Sequence, residues 1–223
     1  MIQFRDGFYA DVRTEDRSRT TISYQAGILL EMKTRVERRA FLRVYDGKLW
    51  YYAAVTDLSA LQKTLDGLYD AATPNEKILD NPIVRRFERN RDTVMRFAEC
   101  SVRDISAKEK QALLLSYLPL LSEDGCVTMP QGTYLDRNSL YRFQSSLGAD
   151  ITYDYQTCGL SLSFSMAEGE RKFSGHWQKG ATRFDELTGL DEEIRAAVAE
   201  QAAFMRNSVP VTPGKYPVVL SLK

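Results

Sequence analysis

The stretch Gly159-Leu160-Ser161-Leu162-Ser163-Phe164-Ser165-Met166-Ala167 alternates large apolar and small residues, and it decides the fold class. Successive side chains of a β-strand point to opposite faces of a sheet, so the alternation puts the large apolar side chains on one face and the serines on the other. The pattern predicts a strand of an antiparallel sheet with one buried face and one face in contact with water.

Other strands are predicted on both sides of this stretch. Short runs of β-forming residues are separated by the turn signals Gln25-Ala26-Gly27, Asp46-Gly47, Leu147-Gly148 and Glu168-Gly169. Glycine favours such turns because it adopts positive φ without steric cost. The predicted strands are 8–12, 20–24, 28–36, 41–45, 49–55, 127–134, 139–146, 149–156, 159–167 and 171–178.

Three helices are predicted between and after the strands. The leucines at 58, 61, 65 and 68 recur at helical spacing after Asp57, which is a favourable N-cap residue. A capping box opens the second helix, and three acidic residues open the third, where the helix dipole stabilises negative charge. The predicted helices are 58–72, 106–119 with Ser106 and Glu109 as its capping box, and 191–206 with Asp191-Glu192-Glu193 in its first turn.

The chain between the two β-rich regions is different in character. The stretch 85–91 is dense in charge, and Pro74 and Pro82 interrupt the pattern before it. Because long loops are uncommon inside a compact domain, a boundary is predicted here, with one short strand near 94–100. The predicted fold class is α+β, with two subdomains that are each a mostly antiparallel sheet with one or two packed helices. The predicted divisions are an N-terminal subdomain at 1–73, a connector at 74–104, a middle subdomain at 105–208 and a junction at 209–223.

Composition limits the class of protein. The chain has 223 residues, and its 43% apolar content is sufficient for a packed core. The 30 basic residues are balanced by 30 acidic ones, which makes a nucleic-acid partner unlikely on charge grounds. No apolar run approaches the roughly 18 residues of a membrane helix, and no signal peptide is recognisable. The three cysteines have no CxxC spacing. These features predict a cytoplasmic protein without a membrane partner.

No catalytic, cofactor-binding or metal-binding residue is assigned from the sequence. His176 is the only histidine, and a zinc site needs three or four closely placed ligands. A nucleophilic pair of Cys158 and His176 is possible, since the two residues fall on neighbouring predicted strands. However, no positive charge or helix N-terminus marks Cys158 as a thiolate. The sequence therefore favours a structural role for both residues, with an unrelated enzyme that uses this pair as a remaining alternative.

Open strand edges are a stronger candidate for a functional site than Cys158 and His176. The segments 18–36 and 159–178 are long and carry polar outer faces. An exposed edge can accept an extended peptide as an added strand. The basic stretch 85–91 is interrupted by Glu88 and has Phe87 as its one aromatic residue, so it is interpreted as a solvated linker rather than a phosphate-binding groove.

The order of motifs resembles that of the TldD/PmbA family, the proposed modulators of DNA gyrase. Val44-Tyr45-Asp46-Gly47-Lys48-Leu49-Trp50 is similar to the family's V-x-x-D-G-x-W, and 213–221 is similar to its junction motif P-G-x-Y-P-V-V-L-S. The sequence departs from the family pattern at 37–41, where the family is rich in glycine, and at Tyr51, where the family has glycine. The other segments that carry the resemblance are 10–20, 27–31, 56–58 and 103–110.

This resemblance implies a role. Family members are zinc metallopeptidases that act on extended or unfolded peptides, commonly as paired subunits, and their H-E-x-x-x-H motif follows the junction. The resemblance implies that this chain holds no zinc, that zinc belongs to a C-terminal domain missing from it, and that it is inactive alone. Its expected partners are extended or unfolded peptide substrate and a second subunit in a homo- or heterodimer.

The leading hypothesis is therefore a non-catalytic N-terminal half of a TldD/PmbA-type metallopeptidase that walls the peptide cavity and supports subunit pairing. The alternative is a stand-alone peptide- or protein-binding module with no peptidase activity. The apolar segment 218–220 is expected to begin a strand of a further domain.

Overall fold

The computed structural model describes residues 2–220 and arranges them into one mixed sheet and three α-helices. The alternating patterns form strands that are longer than predicted, because cross-strand pairing carries them through charged residues. The elements in chain order are β1 Tyr9–Gln25, β2 Ile28–Tyr45, β3 Trp50–Val55, α1 Leu61–Ala71, β4 Arg91–Val94, α2 Ala107–Leu121, β5 Val127–Ser145, β6 Asp150–Glu168, β7 Arg171–Ala181 and α3 Asp191–Asn207.

The seven strands form a single sheet in the order β3-β2-β1-β5-β6-β4, with β7 also paired to β6. Every pairing is antiparallel except the short parallel pairing of β4 with β6. The α+β class is confirmed. The predicted division into two sheets is wrong, because β1 pairs with β5 along its length, from Asp11 opposite Ser145 to Gln25 opposite Gln131. The domain boundaries themselves stay a prediction.

Four pairs of neighbouring strand predictions require correction, because each pair forms one continuous strand. The predicted strands 8–12 and 20–24 are one strand, β1, and the same merging produces β2, β5 and β6. The short strand predicted near 94–100 lies instead at Arg91–Val94. It ends there because the next main-chain N–H groups, of Arg96 and Phe97, donate to the carboxylate of Asp154. The strand expected at 218–220 is absent, and residues 221–223 of the junction lie outside the described residues.

All three α-helices pack on the same side of the sheet, which we call the helix face. One core lies between α1 and the β1–β2–β3 end of the sheet and includes Val12, Leu42 and Leu65. A larger core lies under α2 and α3 at the β5–β6–β7 end and includes Leu162 and Ile194. The predicted two-part organisation therefore corresponds to two hydrophobic cores that share one sheet.

The opposite side carries Arg13, Glu15, Arg17 and Arg19 of β1, and we call it the bare face because no described helix covers it. Only one end of this side is covered. There the connector packs two short 3₁₀ turns, 78–80 and 84–86, against Tyr9 and Tyr45. The connector is therefore partly a structured cover rather than a solvated linker.

Tight turns join the long strands as predicted. Ala26 and Gly27 have φ of 48° and 80°, and Gly47 has φ of 98°, in the left-handed region that glycine tolerates best. Within residues 2–220, none of the helices has the length and apolar character required to cross a bilayer.

Candidate functional site

The structure separates Cys158 from His176. Cys158 is buried on the helix face, whereas His176 is exposed on the bare face. Along β6, Cys158 lies opposite Ala181 and Ser163 lies opposite His176, so the two residues also differ in register. Burial, followed by the nearby Asp136 carboxylate, raises the pKa of Cys158 to about 12. A neutral, enclosed thiol on the other side of the sheet from the imidazole cannot act with it as a nucleophilic pair.

A metal site is not formed by the described part of the chain. Among residues 2–220, no three His, Cys, Asp or Glu side chains are grouped so that they could hold one ion. The acidic residues that open α3 are engaged elsewhere, since Glu192 contacts Arg195 at 3.0 Å and Glu193 contacts Lys179 at 3.1 Å. The zinc expected from the family resemblance is therefore not assigned to any of these residues.

A buried polar cluster joins the two ends of the sheet on the helix face. Lys110 of α2 lies 2.6 Å from Asp136 of β5, and both side chains are at most 3% exposed. Asp136 also accepts from the main-chain N–H of Thr20 and from the hydroxyl of Tyr134. Burial, together with the Asp136 charge, raises the pKa of Tyr134. The cluster is closed to solvent, so we assign it to holding α2 on the β1–β5 seam. Sequence patterns gave no sign of it, because the pairing depends on strand register.

The centre of the bare face is an ion network around Glu15. Its carboxylate accepts from Arg39 Nε at 2.6 Å, from Ser139 Oγ at 3.1 Å, and from Arg17 at 2.7 Å. Burial alone would raise the pKa of Glu15, but hydrogen bonds from Arg39, Tyr141 and Arg17 outweigh it and lower the pKa to about 2. One carboxylate therefore faces several guanidinium groups, and the network remains rich in positive charge.

Next to this network, three arginines lie in a row across three strands. Arg19 of β1 is directly opposite Arg35 of β2 and Arg137 of β5. We call Arg35, Arg19 and Arg137 the arginine row. Side chains directly opposite each other on antiparallel strands are about 5 Å apart at Cβ, and like charges in such positions repel. The row is therefore a local concentration of positive charge, in which, among the described residues, Arg137 alone has a carboxylate, that of Glu15, within 4.0 Å.

Two adjoining grooves meet at Arg19. The larger has a volume of about 750 Å³, and glycines 159 and 180 contribute to its lining together with Thr133, Ser161 and Gln178. The smaller, of about 200 Å³, lies between Arg19 and Arg35 beside Lys33 and Glu31. Together they form a shallow channel with a mixed polar and apolar lining that runs across the strands and has the arginine row along it.

Aromatic side chains occupy the bare face between this channel and the connector. Tyr141 and Tyr153 stack with ring centroids 5.0 Å apart, and the guanidinium of Arg13 lies 5.3 Å from the centroid of Phe143. A smaller cleft of about 300 Å³ adjoins these rings. The aromatic rings thus border the charged channel on one side only.

The second open feature is the edge of β2. β3 pairs with β2 only at residues 40–45, so residues 28–39 have a strand partner on the β1 side alone. We call residues 28–39 the free edge. It exposes several apolar side chains, among them Leu30 and Val36, each 54% exposed, and Met32, 38% exposed. The prediction of an open edge within 18–36 is confirmed for β2, whereas β1 is covered on both sides.

The other predicted edge, 159–178, is covered along β6 and remains an edge along β7. β6 lies between β5 and β7 over this region. Among the described residues β7 has no strand partner on its outer side, where Gln201 of α3 accepts from the main-chain N–H of His176 and donates to its carbonyl oxygen. A side-chain amide thus occupies main-chain groups to which another strand would otherwise pair.

These observations define a class: an α+β protein built on one seven-stranded sheet with three helices on one side and an open strand edge. Residues 10–72, which contain β1, β2, β3 and α1, match the model of the family described as PmbA/TldA metallopeptidase domain 1. The resemblance to TldD/PmbA proteins is therefore confirmed, with residues 10–72 similar to the first domain of that family. No curated protein sequence matches the chain.

Three solved structures have the same fold. A proposed modulator of a DNA gyrase from Thermotoga maritima matches with a TM-score of 0.71 and 19% identity, over 93% of this chain and 47% of that one. A proposed modulator of DNA gyrase from Bacteroides thetaiotaomicron matches with a TM-score of 0.67 and 15% identity, over 87% and 45%. TldE from Thermococcus kodakarensis matches with a TM-score of 0.66 and 13% identity, over 93% and 46%. The chain thus spans about half the length of the structures it matches.

Proposed function

We propose that this chain acts as the non-catalytic N-terminal part of a TldD/PmbA-type metallopeptidase, in which it walls the peptide cavity and supports subunit pairing. The family match at residues 10–72 and the similarity to about half of each solved relative support this assignment. In this proposal the zinc and the peptide-cleaving residues lie outside the residues described here.

The free edge is the observation that carries the proposal. Its main-chain N–H and C=O groups on the outer side have no strand partner within residues 2–220, and pairing with another strand would satisfy them. Met32 is opposite Ile22 and Val36 is opposite Ser18, so both project on the side of the sheet where the helices pack. An incoming strand would therefore gain main-chain hydrogen bonds and apolar contacts together.

Sedimentation velocity of the 223-residue chain over a range of concentrations tests the pairing. We expect a dimer that dissociates on dilution. The double substitution Leu30→Lys and Val36→Lys should leave a monomer with an unchanged circular dichroism spectrum, because charge on an exposed edge disfavours strand addition. Leu79→Lys is the matched control, since Leu79 is 58% exposed on the connector, away from the free edge.

A stand-alone peptide- or protein-binding module is the second candidate, and the same free edge favours it as an acceptor for a peptide strand. The two candidates differ in self-association. A chain that stays monomeric at every concentration, with or without the edge substitutions, would contradict pairing between identical copies and favour the module.

A further inference from the structure

We propose that the channel on the bare face binds an extended acidic segment of polypeptide, with the arginine row contacting its carboxylates. The inference deepens the proposed function, on which it rests for the idea that the bound molecule is an extended peptide. It adds a substrate class, namely chains with acidic side chains at alternating positions.

The first support is that the arginine row lacks internal compensation. Arg19 and Arg35 form no ion pair within residues 2–220. Arg137 donates to the neutral hydroxyls of Tyr141 at 2.8 Å and Ser139 at 3.3 Å, and its nearest carboxylate, Glu15, is 4.0 Å away. Three guanidinium groups in neighbouring positions repel one another, and an anion bound over them would remove that repulsion.

The second support is that positive charge exceeds negative charge along the channel, since the smaller groove is lined by Arg19, Lys33 and Arg35 against one carboxylate, that of Glu31. Along β5, β6 and β7 the bare-face positions next to the row carry Thr133, Thr157, Ser161 and Gln178, which are neutral. The chain as a whole has balanced charge, so the positive excess here is local rather than general. A local field of this kind raises the concentration of an anionic partner at the channel.

The third support is the shape of the channel. It crosses β2, β1, β5, β6 and β7, and strands lie about 4.8 Å apart, so it extends for roughly 20 Å. An extended peptide advances about 3.3 Å per residue, so roughly six residues would fill it. Alternate side chains of such a peptide point towards the sheet, where their carboxylates would meet the row and their main chain would meet the polar residues of the lining.

The lining favours a peptide over single-stranded nucleic acid. Sequence-independent binding of single strands combines positive charge with aromatic rings on which bases stack. None of the residues that line the larger groove is aromatic. Tyr141 and Tyr153, which border the channel, stack on each other, and the exposed ring of Tyr155 has the Arg137 guanidinium 5.9 Å from its centroid.

Fluorescence anisotropy with the 223-residue chain tests the inference. The probe is a labelled peptide that alternates glutamate with serine over about eight residues, long enough to span the roughly 20 Å channel. We expect saturable binding that weakens as salt is raised, because exposed charges are screened. A peptide that alternates glutamine with serine should bind about tenfold more weakly or not at all.

Matched variants connect any binding to the row. Arg19→Gln with Arg35→Gln should weaken the glutamate peptide about fivefold, in line with two exposed ion pairs. Lys108→Gln removes a positive charge from exposed α2 on the other side of the sheet and should have no effect. Circular dichroism spectra that match the wild type would show that the variants are folded.

Three results would overturn the inference. Equal binding of the glutamate and glutamine peptides would reject acidic selectivity while leaving peptide binding and pairing intact. Unchanged affinity in the double arginine variant would place the binding elsewhere. Tighter binding of a labelled oligothymidylate of similar length would identify the channel as a nucleic-acid site. Failure of the dimer to form in sedimentation is a separate result, and it bears on the proposed function alone.

Discussion

The same strands form both faces of the central sheet, but charged residues are paired and buried on the helix face and are exposed, mostly without acidic partners among the described residues, in the arginine row of the bare face. On the helix face, Lys110 and Asp136 are almost completely buried and form a 2.6 Å ion pair with further hydrogen bonds. On the bare face, Arg19 and Arg35 are exposed, lie opposite each other and have no acidic partner among the described residues. Charge is costly to bury without a partner, whereas exposed charge tolerates mismatch. The contrast indicates that the first pair maintains the fold and that the second is available to a ligand.

The largest effect is expected from breaking the buried pair. Lys110→Met leaves the Asp136 carboxylate buried without its cation, and we expect a loss of about 3–5 kcal/mol in the free energy of unfolding. Urea denaturation followed by circular dichroism measures it. Lys108→Met, at an exposed position of α2, is the control and should change stability by less than about 0.5 kcal/mol. A loss of under about 1 kcal/mol in the Lys110 variant would show that the pair does not hold α2 on the seam.

An intermediate loss of stability is expected from substitution of Glu15, which arginines surround on the bare face. Its pKa of about 2 in the folded protein is below the value in an unfolded chain, so the unfolded state binds the proton more readily. The stability from Glu15 is therefore present above about pH 4.5 and is lost as the pH falls towards about 2. We expect Glu15→Gln to cost about 2 kcal/mol near neutral pH, after allowance for the partly exposed arginines.

The pH profile distinguishes this explanation from a simple packing defect. The difference in unfolding free energy between wild type and Glu15→Gln should shrink as the pH is lowered through this range, because the wild-type carboxyl becomes neutral as well. Glu37→Gln, at an exposed position on the neighbouring strand, serves as the control and should show no such convergence. A difference that stayed constant from neutral to acidic pH would rule out the ion network as its cause.

Local sequence patterns predicted strands correctly where apolar and small residues alternate. They failed where a strand forms only because it pairs with residues distant in the sequence. The alternation at 159–167 and the turns at Gly27 and Gly47 were sufficient to place strands. Residues 13–19 were not assigned to a strand, because arginine, aspartate and glutamate are weak β-formers. Their strand is completed by cross-strand partners such as Glu15 with Arg39, and that partnership exists only once the register is known.

The same distinction applies to the candidate site, where some features were predicted from local sequence and others depend on residues distant in the sequence. The free edge on β2 was predicted from the length and polar outer face of the segment 18–36, whereas the exposure of Leu30, Met32 and Val36 along it appears only in the structure. The edge predicted at 159–178 exists along β7 but not along β6, which β5 and β7 cover, and Gln201, which is distant in sequence, occupies the main-chain groups of His176 on that edge. The arginine row could not be predicted, since it brings together residues 35, 19 and 137 through two separate strand pairings.

The smallest change in the free energy of unfolding is expected from a substitution in the arginine row. Whether that change is a gain or a loss tests the proposal. Arg19 lies between two other arginines, so Arg19→Gln removes like-charge repulsion and should raise the free energy of unfolding by about 0.2–1 kcal/mol. Thermal unfolding at low ionic strength measures this gain, which salt should diminish. Most surface substitutions are neutral or slightly destabilising, and Lys108→Gln represents that background. A destabilised Arg19→Gln variant would mean that Arg19 has a structural partner and that the row is not held in readiness for an anion. A stabilised one would indicate that the native sequence retains an unfavourable arrangement on its open face, as expected of a residue kept for binding.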